Sequence, residues 1–278
     1  TNSYWVKSAG ATKLINRVKA ELSFTHIVDF NDTKVFEGVS GKHMIHIYKK
    51  DKMHKNCSLI EIDKNNFKEV VEDSLSKTID DKTLFANENQ IDFNVSQKIH
   101  LNNCIELGDA FEVSQGVVEA SDKISRKMLA NYNGDKNNFS VGQGIFVISK
   151  QELTALQLSD DEKHYIKKYL DTSIVEKYSI KFDNEYLIYS DKEAKAKIAK
   201  KTFPNIKKHL DNVAKFITSS NKPYGLHRPR EAKFFEQPKL ICKGMFSKPE
   251  FAYDDEKFYV GMSFSVIIQK DKNYDLKT

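Results

Sequence analysis

The front of the chain sets the first constraint, because it holds a helix and two strands that cannot close a core among themselves. Leu14, Ile15, Val18 and Leu22 recur at helical spacing after Gly10. Phe24 to Phe30 is a β-rich apolar run and His43 to Tyr48 is another, with Asn31-Asp32 and Gly38 to Gly41 supplying turns between them. Two paired strands are marginal in water, so this sheet must be completed elsewhere. Either later residues finish it or the chain was cut. An opening at Thr1, with neither an initiating Met nor a signal peptide, leads us to expect a fragment.

The stretch from Asp51 to Asn103 is polar, rich in Lys and Asn and weakly periodic, and is expected to connect, with one helix. Phe111 to Val118 has the pattern of a strand broken by Gly116. The polar stretch from Glu119 to Val141 carries Lys123, Arg126, Lys127 and Lys136, and loops of that length are functional or disordered. Gly144 to Ser149 reads as a strand. Ser149 with Glu152, and Ser159 with Glu162, match the capping box that opens a helix, and Ile166, Tyr169 and Leu170 are expected on the buried face of the second one. Glu185 to Tyr189 is a short strand. Pro204, Ile206, Leu210, Val213 and Ile217 describe an amphipathic helix with Pro suited to its first turn. Three β-rich runs end the chain: Pro238 to Gly244, Phe251 to Tyr253 and Phe258 to Ile268. No internal repeat is visible.

With 40% hydrophobic residues, including eighteen Phe and twelve Tyr, the chain can bury a core and is not a disordered polymer. It lacks the run of about twenty apolar residues that a membrane span needs. Cys57, Cys104 and Cys242 are odd in number and far apart, which suggests reduced thiols and a cytoplasmic location. There is no CxxC pair, and no His lies near Cys or acid at ligand spacing, so no metal is expected.

The net charge of +5 conceals an asymmetry. Between Lys192 and Glu250 stand fifteen basic and five acidic residues, a local excess of ten, so the rest of the chain nets −5. Such a basic segment on an acidic body fits a nucleic-acid surface, although Lys-rich helices also arise for solubility. Only four of the 44 basic residues are arginine: Arg17, Arg126, Arg228 and Arg230. Two of them fall inside Tyr224-Gly225-Leu226-His227-Arg228-Pro229-Arg230. Where a point charge suffices, lysine serves. The planar guanidinium can instead grip a phosphate, or the O6/N7 edge of guanine, with two bonds at once. The competing interpretation is a surface loop with two salt bridges.

Several motifs fall short of an active site. Asn221-Lys222-Pro223-Tyr224 nearly spells the Asn-Pro-Pro-Tyr of amino-methylating enzymes, but Lys222 replaces the stiffening first Pro and a helix precedes it, so we take the match as coincidence. Gly142-Gln143-Gly144 precedes a strand, whereas a cofactor-binding glycine turn follows one. Glu193-Ala194-Lys195 and Glu231-Ala232-Lys233 have the letters of a Mg²⁺ nuclease without apolar strands around them. Phe36, bounded by Asp32, Lys34, Glu37 and Gly38, is either a core anchor or a platform for a base.

Taken together, these residues resemble a known family. Asn2 to Lys50, with Tyr4-Trp5, the Ser8 to Leu14 helix start, Ile27-Val28-Asp29-Phe30 and Val35-Phe36-Glu37, resembles the tail of the catalytic domain of adenine-N6 DNA methyltransferases of the type IIG restriction-modification kind. The remainder resembles the TaqI-like target-recognition (specificity) domain. The matching stretches are Val113 to Val118, Gly144 to Leu153, Lys177-Tyr178, Phe203 to Leu210, Leu226 to Arg230, Gln237 to Ile241 and Phe251 to Asp254. The resemblance implies an α/β tail of a Rossmann-like methyltransferase sheet followed by an α+β target-recognition domain. Residues 1–75 would be catalytic-domain tail, 76–105 a connector and 106–278 the recognition domain, truncated at its end. It implies sequence-directed binding of double-stranded DNA with no obligate protein partner, and a parent enzyme that uses S-adenosylmethionine. The cofactor loop and Asn-Pro-Pro-Tyr would lie upstream, so these residues are expected to bind no cofactor, and Mg²⁺ matters only if the parent also cuts DNA. Phe36 would stack on the extruded adenine. Lys207, Lys208, Lys243 and Lys248 are the expected phosphate contacts. Arg228, Arg230 and the loop with Lys123, Arg126 and Lys127 are the expected base readers, and His227 is an expected DNA contact. A free-standing Mg²⁺-dependent nuclease and a basic protein-interaction scaffold remain as alternatives.

Overall fold

The computed structural model describes residues 3–39, 41–51, 56–62, 76–86, 90–93, 104–244, 248 and 250–277. The chain divides into two compact units, residues 1–102 and 103–278, each with its own core. Among the described residues no helix is long and apolar enough to cross a membrane.

In the first unit, α1 (Thr12–Glu21) leads directly into β1 (Ser23–Asp29), with Ile15 and Val18 buried and Leu14 exposed. The β1 strand pairs antiparallel with β2 (Met44–Lys49), parallel with β3 (Asn56–Glu61), and β3 pairs antiparallel with β4 (Ser76–Asp80), giving the order β2-β1-β3-β4. Asp80 caps α2 (Asp81–Leu84) by accepting the Thr83 N–H at 2.7 Å. So the partners of the first two strands come from residues expected to connect: β3 buries Cys57 and Leu59 completely. Its apolar run is only Cys57 to Ile60, and its Lys-rich flanks mask the period-2 signal. Residues 63–75, 87–89 and 94–103, which include much of the expected connector, lie outside the described residues.

The second unit is mixed α/β with several sheets. It opens with α3 (Leu107–Ala110) and β5 (Phe111–Gln115), followed by α4 (Arg126–Ala130), β6 (Val147–Ser149), α5 (Lys150–Ala155) and α6 (Asp160–Lys163). Next come β7 (Ile166–Leu170), β8 (Val175–Glu176), β9 (Ser179–Ile180), β10 (Glu185–Ile188), α7 (Lys192–Ala199) and α8 (Pro204–Val213). The strands β11 (Lys239–Lys243), β12 (Phe251–Asp254), β13 (Tyr259–Val260) and β14 (Phe264–Gln269) close the unit. Among the described residues they form sheets ordered β13-β7-β10-β6 and β12-β11-β14-β5 and the small hairpin β8-β9.

Ile166, Tyr169 and Leu170 belong to β7, not to a helix face. The capping box opens only the short α6, and spacings of three and one fit a strand as well as a helix in so short a window. The long polar loop is pinned. Ile124 is buried and donates its N–H to Gln143 O at 2.8 Å, and Asp122 O accepts the N–H groups of Ile145, Phe146 and Val147.

Both capping boxes form, and each Glu also reaches a second segment. Glu152 accepts Ser149 N at 2.8 Å and Gly144 N at 2.7 Å, tying α5 to the turn before β6. Glu162, fully buried, accepts Ser159 N at 3.0 Å and then Asn205 N and Ile206 N at 2.7 and 2.9 Å. One carboxylate therefore satisfies orphan amides of two helices, α6 and α8. Burial works against its charge, but the Ile206 and Ser159 amides, with Asn205, outweigh it and hold its pKa below the usual carboxylate value. Lys239 and Asp254 face each other across β11 and β12 as a buried ion pair. Lys239 Nζ also donates to Phe235 O at 2.9 Å, and Asp254 accepts Glu256 N at 2.8 Å and Phe258 N at 3.0 Å.

Candidate nucleic-acid interface

The heptapeptide of residues 224–230 is held along almost its whole backbone. Leu226 N donates to Ser190 O at 3.1 Å, while Asn221 Nδ2 donates to Leu226 O at 2.9 Å and His227 O at 3.2 Å. Arg228 N donates to Val118 O at 3.0 Å and Val118 N donates back to Arg228 O at 2.9 Å. The buried Tyr189 ring places its hydroxyl 2.8 Å from Arg230 O. Asn221 and Tyr224, the letters of the near-motif, both serve this scaffold, Tyr224 by donating to Asp211 Oδ1 on α8 at 2.7 Å.

The two arginines diverge at this point. Arg230 sits at φ +61°, a left-handed conformation uncommon outside glycine, and its guanidinium turns back onto the fold. Its Nη2 donates to Gln115 Oε1 at 2.7 Å and its Nε to Gly116 O at 3.3 Å. The Arg228 side chain is exposed and has no hydrogen-bond or ion-pair partner among the described residues. A rigid main chain thus presents one unpaired guanidinium.

The other expected contacts split in the same way. Lys123 is paired with Glu185, Lys207 with Asp211 at 2.5 Å and Lys243 with Glu250 at 3.0 Å. Lys207 also lies over the Tyr224 ring at 5.1 Å, and Lys243 is only 11% exposed. His227 Nδ1 lies 2.9 Å from Ser220 Oγ. Arg126 and Lys127 on α4, Lys208 on α8 and Lys248 are exposed, without a partner among the described residues. Glu193 of the first Glu-x-Lys pair is bonded to Lys197 at 2.7 Å on α7, and Lys233 of the second to Glu112 at 2.6 Å. Phe36, in the first unit, is 56% exposed and meets His43 edge-on at 5.2 Å.

The backbone gathers several of these groups at one end of the β12-β11-β14-β5 sheet. Phe251, Cys242, Ser265 and Gln115 pair successively across all four strands, forming one rank. Gln115, at the β5 end of the rank, accepts from Arg230 and donates to Met262 O at 2.9 Å. Just beyond it, Gly116 crosses the backbone of Val260 and Gly261 so closely that a Cβ would overlap both carbonyls. The β11–β12 connection, which carries Lys248, leaves the sheet at the same end.

Beside this end, Glu119, Asp122, Asp171 and Met262 line a cavity of about 290 Å³. Glu119 is buried and accepts the Tyr169 hydroxyl at 2.9 Å. Burial, seconded by Asp122, pushes its pKa up to about 7 against the opposing hydrogen bonds, so near neutrality this carboxyl is partly uncharged.

Sequence reasoning does not reach Gln115 or Glu119. Gln115 carried a usable signal, a polar residue at a strand exit before a Gly. Glu119 carried none, because its burial depends on Tyr169 and Gly261 far along the chain.

Comparison with known proteins adds to this geometry. Residues 167–278 match the TaqI-like C-terminal specificity domain. The resemblance drawn from the sequence is thereby borne out for the specificity-domain segment, which carries α7, α8, the heptapeptide and three of the four strands in the rank. The structure titled as that of the Type IIL restriction-modification enzyme MmeI in complex with DNA is similar at a TM-score of 0.50 and 12% identity, over 94% of this chain. At that identity the likeness speaks for the fold. This chain spans about a third of that one, 32% of its length. No curated protein matches the chain.

Proposed function

We propose that this chain is the DNA-recognition part of a restriction-modification enzyme, reading sequence in duplex DNA so that a parent DNA adenine-N6 methyltransferase can act on one adenine. The specificity-domain match supports the class. The observation that carries the role is Arg228: a guanidinium with no partner among the described residues, on a backbone fixed by hydrogen bonds on both sides. A guanidinium carried on a fixed main chain suits bidentate reading of a guanine edge. Lys208 and Lys248 would supply phosphate contacts, which position the protein without reading sequence, and Arg126 and Lys127 would join Arg228 in contacting bases.

In this reading the first unit is the tail of the Rossmann-like catalytic sheet, supported by α1 feeding the parallel pair β1–β3, and Phe36 stacks on the extruded base. The cofactor is S-adenosylmethionine, supplying the methyl group when bound to the parent. The 278 residues do not fit it: they contain no Asn-Pro-Pro-Tyr, and Gly142-Gln143-Gly144 forms a turn before β6 rather than opening a helix after a strand. No chemical step is assigned to residues of this chain, and Mg²⁺ enters only if the parent also cuts.

The test is fluorescence anisotropy with short duplexes of randomised sequence, followed by selection and sequencing of the bound fraction. The expected results are affinity that falls linearly in log–log with salt and enrichment of a defined sequence. Salt-insensitive binding, or a bound pool as random as the input, would sink the proposal.

A further inference from the structure

Among the described residues, Tyr178 is the most exposed large apolar or aromatic side chain, at 80%. It occupies the second position of the two-residue turn joining β8 and β9, at φ +66°. That position favours Gly or Asn, and an aromatic residue held there strains the backbone. The turn is fixed to the main sheet, because Tyr178 N donates to Phe251 O at 2.8 Å. Lys177 Nζ lies 4.8 Å over the ring, so a cation accompanies the aromatic at the tip.

The anchor decides what this tip is for. Phe251 begins the rank Phe251–Cys242–Ser265–Gln115, and Gln115, at its other end, holds Arg230. The hairpin and the arginine segment therefore rise from opposite edges of the same end of one sheet. Three interstrand steps of ~4.8 Å set their attachment points roughly 14 Å apart. At ~3.4 Å per base pair that is about four steps of a duplex.

We infer that Tyr178 is a second DNA contact, a ring that packs against the bases several steps away from the one Arg228 reads. The inference rests on the proposed DNA function and deepens it. A strained, anchored aromatic beside a cation is suited to stacking, which tolerates any base, whereas Arg228 discriminates among them. Tyr178 thus holds the duplex in place along its length while Arg228 reads.

The test compares the unaltered chain with Tyr178→Gly, Tyr178→Phe and Tyr178→Trp on the same randomised duplex probe. Glycine relieves the backbone, so Tyr178→Gly should melt no lower than the parent chain yet bind ~10-fold or more weakly. Tyr178→Phe should bind as the parent does. The new indole in Tyr178→Trp should lose fluorescence when duplex is added, measured against the Trp5 background. If the unaltered chain binds but Tyr178→Gly binds equally well, or the indole stays unquenched, the Tyr178 contact is overturned and the DNA reading stands. If the unaltered chain fails to bind duplex, both fall.

Discussion

The face of α8 that meets Tyr224 and the sheet end that presents Arg228 are both rich in basic residues, but they use charge in opposite ways. On α8, Lys207 is bonded to Asp211, Asp211 to Tyr224, and the Lys207 ammonium lies over the Tyr224 ring. These groups satisfy one another and fasten the helix to the start of the heptapeptide. At the sheet end, Arg230 joins Gln115 while Arg228, two residues earlier, has no partner among the described residues. A local charge excess therefore does not by itself locate an interface. What marks one is a cation whose backbone is fully bonded and whose side chain is not.

The comparison can be broken most forcefully at the buried extreme of cation use. Lys239→Met would leave Asp254 charged and unpaired in the core, at a cost of ~3–5 kcal/mol. Urea denaturation should show this loss, and adding Asp254→Asn should recover part of it. A Lys239→Met chain as stable as the parent would mean the pair contributes no constraint.

The next largest effect concerns pH. Glu119 has a folded pKa of about 7, above its unfolded value near 4.5. The folded state therefore binds the extra proton between those values. Its contribution to stability is fully present below about pH 4.5 and is lost as pH rises through 7. The full swing is on the order of 3 kcal/mol. Glu119→Gln should flatten the decline in melting temperature between these pH values, and an unchanged pH profile would count against the buried neutral carboxyl.

The smallest effect separates two neighbours on α8. Lys208→Ala should weaken binding to all duplexes alike and lower the salt slope by about one unit. Lys207→Ala should mainly loosen the α8–Tyr224 contact, with a smaller change in slope. Equal slopes for the two variants would erase the distinction between paired and free lysines.

How much of this was legible in the sequence follows from how local each feature is. Ser149–Glu152 and Ser159–Glu162 were readable because a capping box spans four residues, and Pro204 marked the start of α8 for the same reason. The second role of Glu162, on the amides of Asn205 and Ile206, depends on a fold that brings residues more than forty apart together. β7 reads as a helix face in the sequence because three apolar residues at mixed spacing fit either period. Tyr224 to Arg230 stands out in the sequence for its two arginines, but no pattern of letters tells which of them Gln115 claims. The turn at Tyr178 left no trace in the sequence, since it lacks the Gly or Asn that marks a left-handed position.

The most direct test pairs Arg228→Ala with Arg230→Ala, scoring each for unfolding midpoint and for sequence preference among selected duplexes. Arg228→Ala should leave the midpoint unchanged and cost ~1–3 kcal/mol of discrimination at one base pair. Arg230→Ala should instead lower stability by ~1–2 kcal/mol through the bonds lost to Gln115 and Gly116. An Arg228→Ala chain that keeps its full sequence preference would contradict the account at its centre.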